Sequence, residues 1–114
     1  MVAWEDRPMS SPVQLVPLGL EGLFWVERKV HFDSRGSFCE LWNVEEFQQA
    51  GWTQPFEQDS LSHSRAGVLR GLHFQDPPQA KLITLLQGRT HHVMVDVRPT
   101  STTWGQHQSV ELVG

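Results

Sequence analysis

Gly67-Val68-Leu69-Arg70-Gly71-Leu72-His73-Phe74-Gln75, then Asp76-Pro77-Pro78-Gln79, then Lys81-Leu82-Ile83-Thr84-Leu85-Leu86-Gln87 is the stretch on which the fold turns. Each apolar run is strand-sized and is bounded by Gly, Pro or Asp, the pattern of strands joined by turns. Upstream, Phe56 to Ser64 reads the same way, separated from the next run by Ser64-Arg65-Ala66-Gly67. Downstream, Gly88-Arg89 precedes a run from Thr90 to Arg98, and Pro99 to Gly105 precedes another from His107 to Val113. Short strands at near-even spacing predict an all-β sandwich or barrel. Alternation is clearest in Thr90 to Arg98: His91, Val93, Val95 and Val97 share one face, and His92, Met94, Asp96 and Arg98 share the other.

Toward the amino terminus, Leu23 to Phe32 reads as a strand, Asp33-Ser34-Arg35-Gly36 as a turn, and Ser37 to Trp42 as a further strand. Asn43-Val44-Glu45-Glu46 carries a helix-start signature, with Asn43 as cap and Glu46 three residues on. Phe47 and Ala50 should face inward and Gly51 should end the helix, which predicts one short helix near 43–50. Residues 1–19 are rich in Pro and Ser without stable periodicity, and are expected to form an arm that is mobile or taken up by a partner subunit. Residues 20–114 then form one domain, with no internal repeat. The run Ser109 to Gly114 still reads as a strand where the chain stops. That predicts a sheet completed by another subunit, or a fragment of a longer gene product.

The bulk composition narrows the function classes. A chain of 114 residues fits one domain. A net charge of -4 with no Lys/Arg cluster argues against nucleic acid or an anionic membrane as partner. Apolar runs are too short for a membrane span, and no basic-then-apolar leader opens the chain. Cys39 is the single cysteine, so no internal disulfide framework exists and a cytoplasmic setting is expected. Within Phe38-Cys39-Glu40-Leu41-Trp42 it reads as a structural thiol rather than a nucleophile. There are six His and no Tyr.

Arg70, His73 and Lys81 fall within a dozen residues on runs that a sheet would place side by side. One reading makes His73 a proton-transfer base near neutral pH, with Arg70 and Lys81 holding an anion such as pyrophosphate. The other makes it a core His bonded to backbone beside two solvated cations. Strict alternation puts Arg70 and His73 on opposite faces, and Gly71 between them is placed to re-aim one of the two. Phe56-Glu57-Gln58-Asp59-Ser60-Leu61-Ser62-His63-Ser64 suits a wet cavity wall or an exposed edge strand. A metal site is not expected: His91 and His92 are neighbours that point apart in a strand, and Gln75 stands where a second in-strand ligand would follow His73.

Taken in order from about residue 20 onward, several words resemble one family, the dTDP-4-dehydrorhamnose 3,5-epimerases within the cupin-type barrels. They are Asp33-x-Arg35-Gly36-x-Phe38-x-Glu40, Phe56-x-Gln58-Asp59-x-x-x-Ser62-x-Ser64, Gly67 to Gln75, Pro77-Pro78 with Lys81-Leu82, and Val95-Asp96-Val97-Arg98 with Ser101 and Gly105. The resemblance implies a jelly-roll barrel, a homodimer exchanging amino-terminal strands, a dTDP-linked 4-keto-6-deoxyhexose as substrate, and no cofactor. It implies His73 as the base and Lys81 as the group that stabilises the developing enolate oxygen. It implies Arg35, Glu40, Gln58, Ser60 and Arg70 as residues that hold the nucleotide and its pyrophosphate.

The chain departs from the family pattern at four points. Ser60 stands where Asn is usual, the loop between Pro78 and Lys81 is short, and His92 stands where an acid is usual. The later segment, with a second active-site His, a Tyr acid and an Asp partner for the base, has no counterpart. With no Tyr present, that acid cannot come from this chain or an identical partner. The competing readings are therefore a catalytically inactive nucleotide-sugar-binding cupin module and, further off, a metal-dependent cupin.

Overall fold

The computed structural model describes residues 12–114. It divides into two compact units, one made of residues 12–53 with Thr84–Gly114, the other of Gln54–Ile83. The first unit holds β1 (Val13–Pro17), β2 (Phe24–Arg28), β3 (His31–Asp33), β4 (Gly36–Phe38), α1 (Val44–Gln49), β5 (Arg89–Val95) and β6 (His107–Val113). The strands pair as three antiparallel hairpins, β1 with β2, β3 with β4 and β5 with β6. Among the described residues, no helix is long and apolar enough to cross a membrane.

β1 lies inside the segment expected to be an arm. Val13-Gln14-Leu15-Val16 supplies enough β propensity to pair with Arg28-Glu27-Val26-Trp25 in the same chain, and Pro17, which cannot continue a ladder, ends the strand. The Pro and Ser residues flanking this short run hid it. Met1 to Ser11 lie outside the described residues. Val13 is 2% exposed and Leu20, in the β1–β2 turn, 7%, so this hairpin contributes to the core.

The single run expected from Leu23 to Phe32 is two strands, broken at Lys29-Val30 so that His31–Asp33 can turn onto Gly36–Phe38. The turn at 33–36 stands as read. The run expected from Ser37 to Trp42 ends at Phe38, and residues 39–42 are irregular.

α1 follows its sequence signals closely. The Asn43 side chain accepts from the Glu45 and Glu46 backbone N–H groups at 3.1 and 3.3 Å, satisfying donors that a helix start leaves orphaned. Phe47 is buried against Trp42, with ring centroids 4.4 Å apart. Ala50 caps the carboxyl end, and Gly51 takes φ +100°, the left-handed conformation that ends many helices.

In β5 and β6 the alternation holds. His92 and Met94 are half-buried with Gln108, Val110 and Leu112 across the ladder. Val93, Val95 and Val97 are exposed, so the polar face of this run is the one turned inward. An ion pair from Arg89 to Glu111 at 3.1 Å crosses the hairpin at its surface, where such pairs add little.

Residues 54–87 correct three strand expectations. Phe56 to Ser64, Gly67 to Gln75 and Lys81 to Gln87 carry no ladder hydrogen bonds. Alternation and bulky residues specify an extended backbone, but a strand also needs a partner, and none of the described residues supplies one. The side chains agree: Leu61, Leu69, Leu72 and Phe74 are 83, 91, 74 and 81% exposed.

Candidate functional site

The residues singled out from sequence fall in both units. Arg35 and Glu40 belong to the first, and Gln58, Ser60, Arg70, His73 and Lys81 to the second. All seven side chains are exposed.

Arg35 stands at the tip of the β3–β4 hairpin. Asp33 accepts from its backbone N–H at 2.8 Å and from Nε at 3.1 Å, and a further bond joins the Arg35 Nη2 to the same carboxylate. That pairing holds the Asp33 carboxyl below the usual carboxylate range and raises Arg35. The turn is therefore locally ordered, with the guanidinium displayed to solvent. Hairpin residues 31–38 line a cleft of about 330 Å³.

Glu40 follows β4 on the irregular stretch that leads into α1. It shares a cleft of about 180 Å³ with Pro12, Arg28, Lys29, His31 and Glu46. At that size it lies below the usual range for an enclosing ligand pocket. Arg28, not singled out from the sequence, sits at this cleft. Its Nη1 donates to the Leu41 carbonyl at 2.9 Å and its Nη2 to Thr84 Oγ1 at 3.3 Å. Its Nε is buried without a partner among the described residues. A cation at the end of β2, beside Glu27, was the available signal.

In the second unit order is local. Gln58 Nε2 donates to Ser60 Oγ at 3.1 Å, and Arg70 Nε donates to Ser64 Oγ at 3.0 Å. Gly71 takes φ +108°, and a Cβ built there would lie 3.6 Å from His73 Nδ1, so the imidazole folds back over the glycine. Gly71 stands in the left-handed region outside any ladder, so it is not a bulge. No described hydrogen bond joins His73 to Arg70 or Lys81.

The most heavily bonded polar group lies elsewhere, in the β5–β6 connection. Asp96 is 5% exposed. Its carboxylate accepts from the Arg98 backbone N–H at 3.0 Å, Arg98 Nε at 2.9 Å, Arg98 Nη2 at 2.8 Å and Thr103 Oγ1 at 2.7 Å. Ser101 Oγ lies in reach of both Asp96 and Glu21, with one proton to share between them. Glu21, from the β1–β2 turn, also accepts from the Thr102 backbone N–H and hydroxyl, each at 3.1 Å. The Arg98 guanidinium and then Ser101 hold the Asp96 carboxyl far below its ordinary value, and the Thr102 and Ser101 donors lower Glu21. This cluster joins two turns and is saturated, so it reads as structural. Among the described residues, no group of three or more His, Cys, Asp or Glu is arranged to hold a metal ion.

A family model described as dTDP-4-dehydrorhamnose 3,5-epimerase matches residues 17–114. The dTDP-4-dehydrorhamnose 3,5-epimerase of Methanothermobacter thermautotrophicus is 41% identical over 100 residues, covering 87% of this chain and 54% of that protein. Its counterpart in Shigella flexneri is 44% identical over 89 residues, covering 75% of this chain and 49% of the relative. The chain spans about half the length of the curated relatives it matches.

Among solved structures, the enzyme of the same description from Elizabethkingia anophelis NUHP1 superposes with a TM-score of 0.79 at 40% identity. That match covers 90% of this chain and 57% of the other. The one from Bacillus anthracis str. Ames, solved with TDP and PPi bound, also gives a TM-score of 0.79, at 34% identity over 89% of this chain and 59% of its own. With a match running from residue 17 to the last residue and a backbone that follows the same course, the chain belongs to the dTDP-4-dehydrorhamnose 3,5-epimerase family, as an all-β, cupin-type chain with an incomplete barrel and one short helix.

Proposed function

We propose that this chain serves the epimerisation of C3 and C5 in a dTDP-linked 4-keto-6-deoxyhexose, a step of deoxysugar (rhamnose) biosynthesis. The observation that carries the reading is the uninterrupted Arg70-Gly71-Leu72-His73-Phe74-Gln75 string within a family match over residues 17–114. The related Bacillus anthracis structure, which holds TDP and PPi, supports a ligand with a nucleotide and a pyrophosphate.

The chemistry follows from the substrate. A ketone at C4 acidifies the hydrogens on C3 and C5. His73, whose imidazole is exposed, takes one of these protons. The electron pair moves onto the C4 oxygen as an enolate, and the ammonium of Lys81 offsets that charge. Return of a proton to the opposite face inverts the centre. No electron is gained or lost, so the step needs no redox cofactor. Arg35 and Arg70 suit the pyrophosphate, since guanidinium groups match phosphate oxygens geometrically. Glu40, Gln58 and Ser60 hold the nucleotide. The working form is a cytoplasmic homodimer.

A second reading is a module that binds a nucleotide sugar without turning it over. Proton exchange separates the two. In D₂O with a dTDP-4-keto-6-deoxyhexose, deuterium should enter C3 or C5, as followed by proton NMR. His73→Asn should slow that exchange by about 100-fold or more. Stabilisation of the protein by dTDP without exchange establishes the binding module, and the loss of both effects removes both readings.

A further inference from the structure

We infer that Arg28 is a positioning residue for Glu40, fixing the backbone that aims this carboxylate into the cleft it shares with Arg28. The inference rests on Glu40 being a nucleotide-holding residue. Arg28 closes β2, opposite the buried Val13, so its backbone is anchored in a paired hairpin that contributes to the core. From there the guanidinium reaches two other segments, the Leu41 carbonyl at 2.9 Å and Thr84 Oγ1 at 3.3 Å.

Leu41 directly follows Glu40 in the irregular stretch 39–42, and Asn43 then caps α1. The Leu41 carbonyl is thus held from β2 on one side, and the chain is held by the helix cap on the other. Glu40 lies between that fixed carbonyl and the end of β4. Glu40 and Arg28 line the same cleft, beside Lys29, His31 and Glu46.

The pattern of partners argues for a positional role rather than a stabilising one. The guanidinium is committed to a neutral carbonyl and a hydroxyl, with Nε buried and unpaired among the described residues. A buried unpaired donor is unfavourable and offsets part of what the two hydrogen bonds contribute to stability. What it does supply is a planar fork of donors that sets the separation of two segments. A Lys ammonium has the charge but not that fork.

The test is a double-mutant cycle in the 114-residue chain, with dTDP affinity read by calorimetry and the unfolding midpoint recorded for every variant. Arg28→Met should weaken dTDP binding by about tenfold, and Glu40→Ala by a comparable factor. The double variant should bind no more weakly than Glu40→Ala alone, because Arg28 acts through that carboxylate. Arg28→Lys should recover only part of the loss, and it carries the same cycle if Arg28→Met does not fold. Wild-type affinity in Arg28→Met overturns the inference. So does a loss that adds in full on Glu40→Ala, which marks a merely structural role. Glu40→Ala binding dTDP like the wild type removes both the reading of Glu40 and this inference. A wild-type chain that does not bind dTDP removes the proposed function along with it.

Discussion

Residues 96–106 and residues 54–83 both lack regular secondary structure, yet they are organised by opposite means. The first stretch is short and is knotted around one buried carboxylate, with Asp96, Arg98, Ser101 and Thr103 bonded to one another and to Glu21 of a distant turn. The second carries most of the residues proposed for chemistry, and its bonds are local ones such as Gln58 to Ser60 and Arg70 to Ser64. Irregular backbone is rigid where side chains satisfy its polar groups and loose where solvent does. Determinants of order and proposed determinants of chemistry thus sit in different parts of the sequence.

Substitutions sharpen that contrast, and the largest effect is expected at the packed end. Phe47→Ala removes a ring that is 2% exposed and packed at a tilt against Trp42, and should lower stability by about 3–5 kcal/mol, read by urea denaturation. Asp96→Ala strips Arg98 and Thr103 of their acceptor and should lower the unfolding midpoint by on the order of 10 °C.

The same cluster sets an acid limit. Asp96 and Glu21 are depressed in the folded state from ordinary values of 3.8 and 4.5. The stability they contribute is present above those values and is lost as pH falls through and below them. The midpoint should therefore be nearly flat from about pH 5 to 7 and drop below about pH 4, with a shallower drop in Asp96→Ala. Asn43→Ala, which removes the α1 cap, should cost about 1 kcal/mol.

The smallest effect is expected in residues 54–83. Leu69→Ser, at a position 91% exposed, should change stability by no more than about 0.5 kcal/mol. Backbone amides there should exchange hydrogen well before those of β5 and β6. A large loss from Leu69→Ser would break the comparison, because it would show that segment to be packed.

The sequence was most readable where the forces are local. The Asn43 cap, the inward Phe47, the Gly51 stop, the 33–36 turn and the whole of β6 depend on near neighbours, and each stands where it was read. The runs 56–64, 67–75 and 81–87 were over-read because period-two patterning reports which residues favour an extended chain, not whether a ladder partner exists. β1 was missed for the converse reason: its partner β2 stabilises a run too short to stand out between prolines. For the proposed site, candidate residues were readable only as words of the family resemblance. Arg28 was not, since a strand-end cation gains its meaning from a carbonyl and a hydroxyl 13 and 56 residues away.

The packing of Trp42 against Phe47 also gives the molecule a built-in optical reporter. The chain has five Trp and no Tyr, so its near-ultraviolet emission comes from indole alone. Trp42 is half-buried beside α1 while Trp104 is 62% exposed, which separates a blue-shifted contribution from a red one. Trp25 and Trp52 are half-buried as well, so loss of the blue component should register unfolding of the packed unit as a whole, without any label.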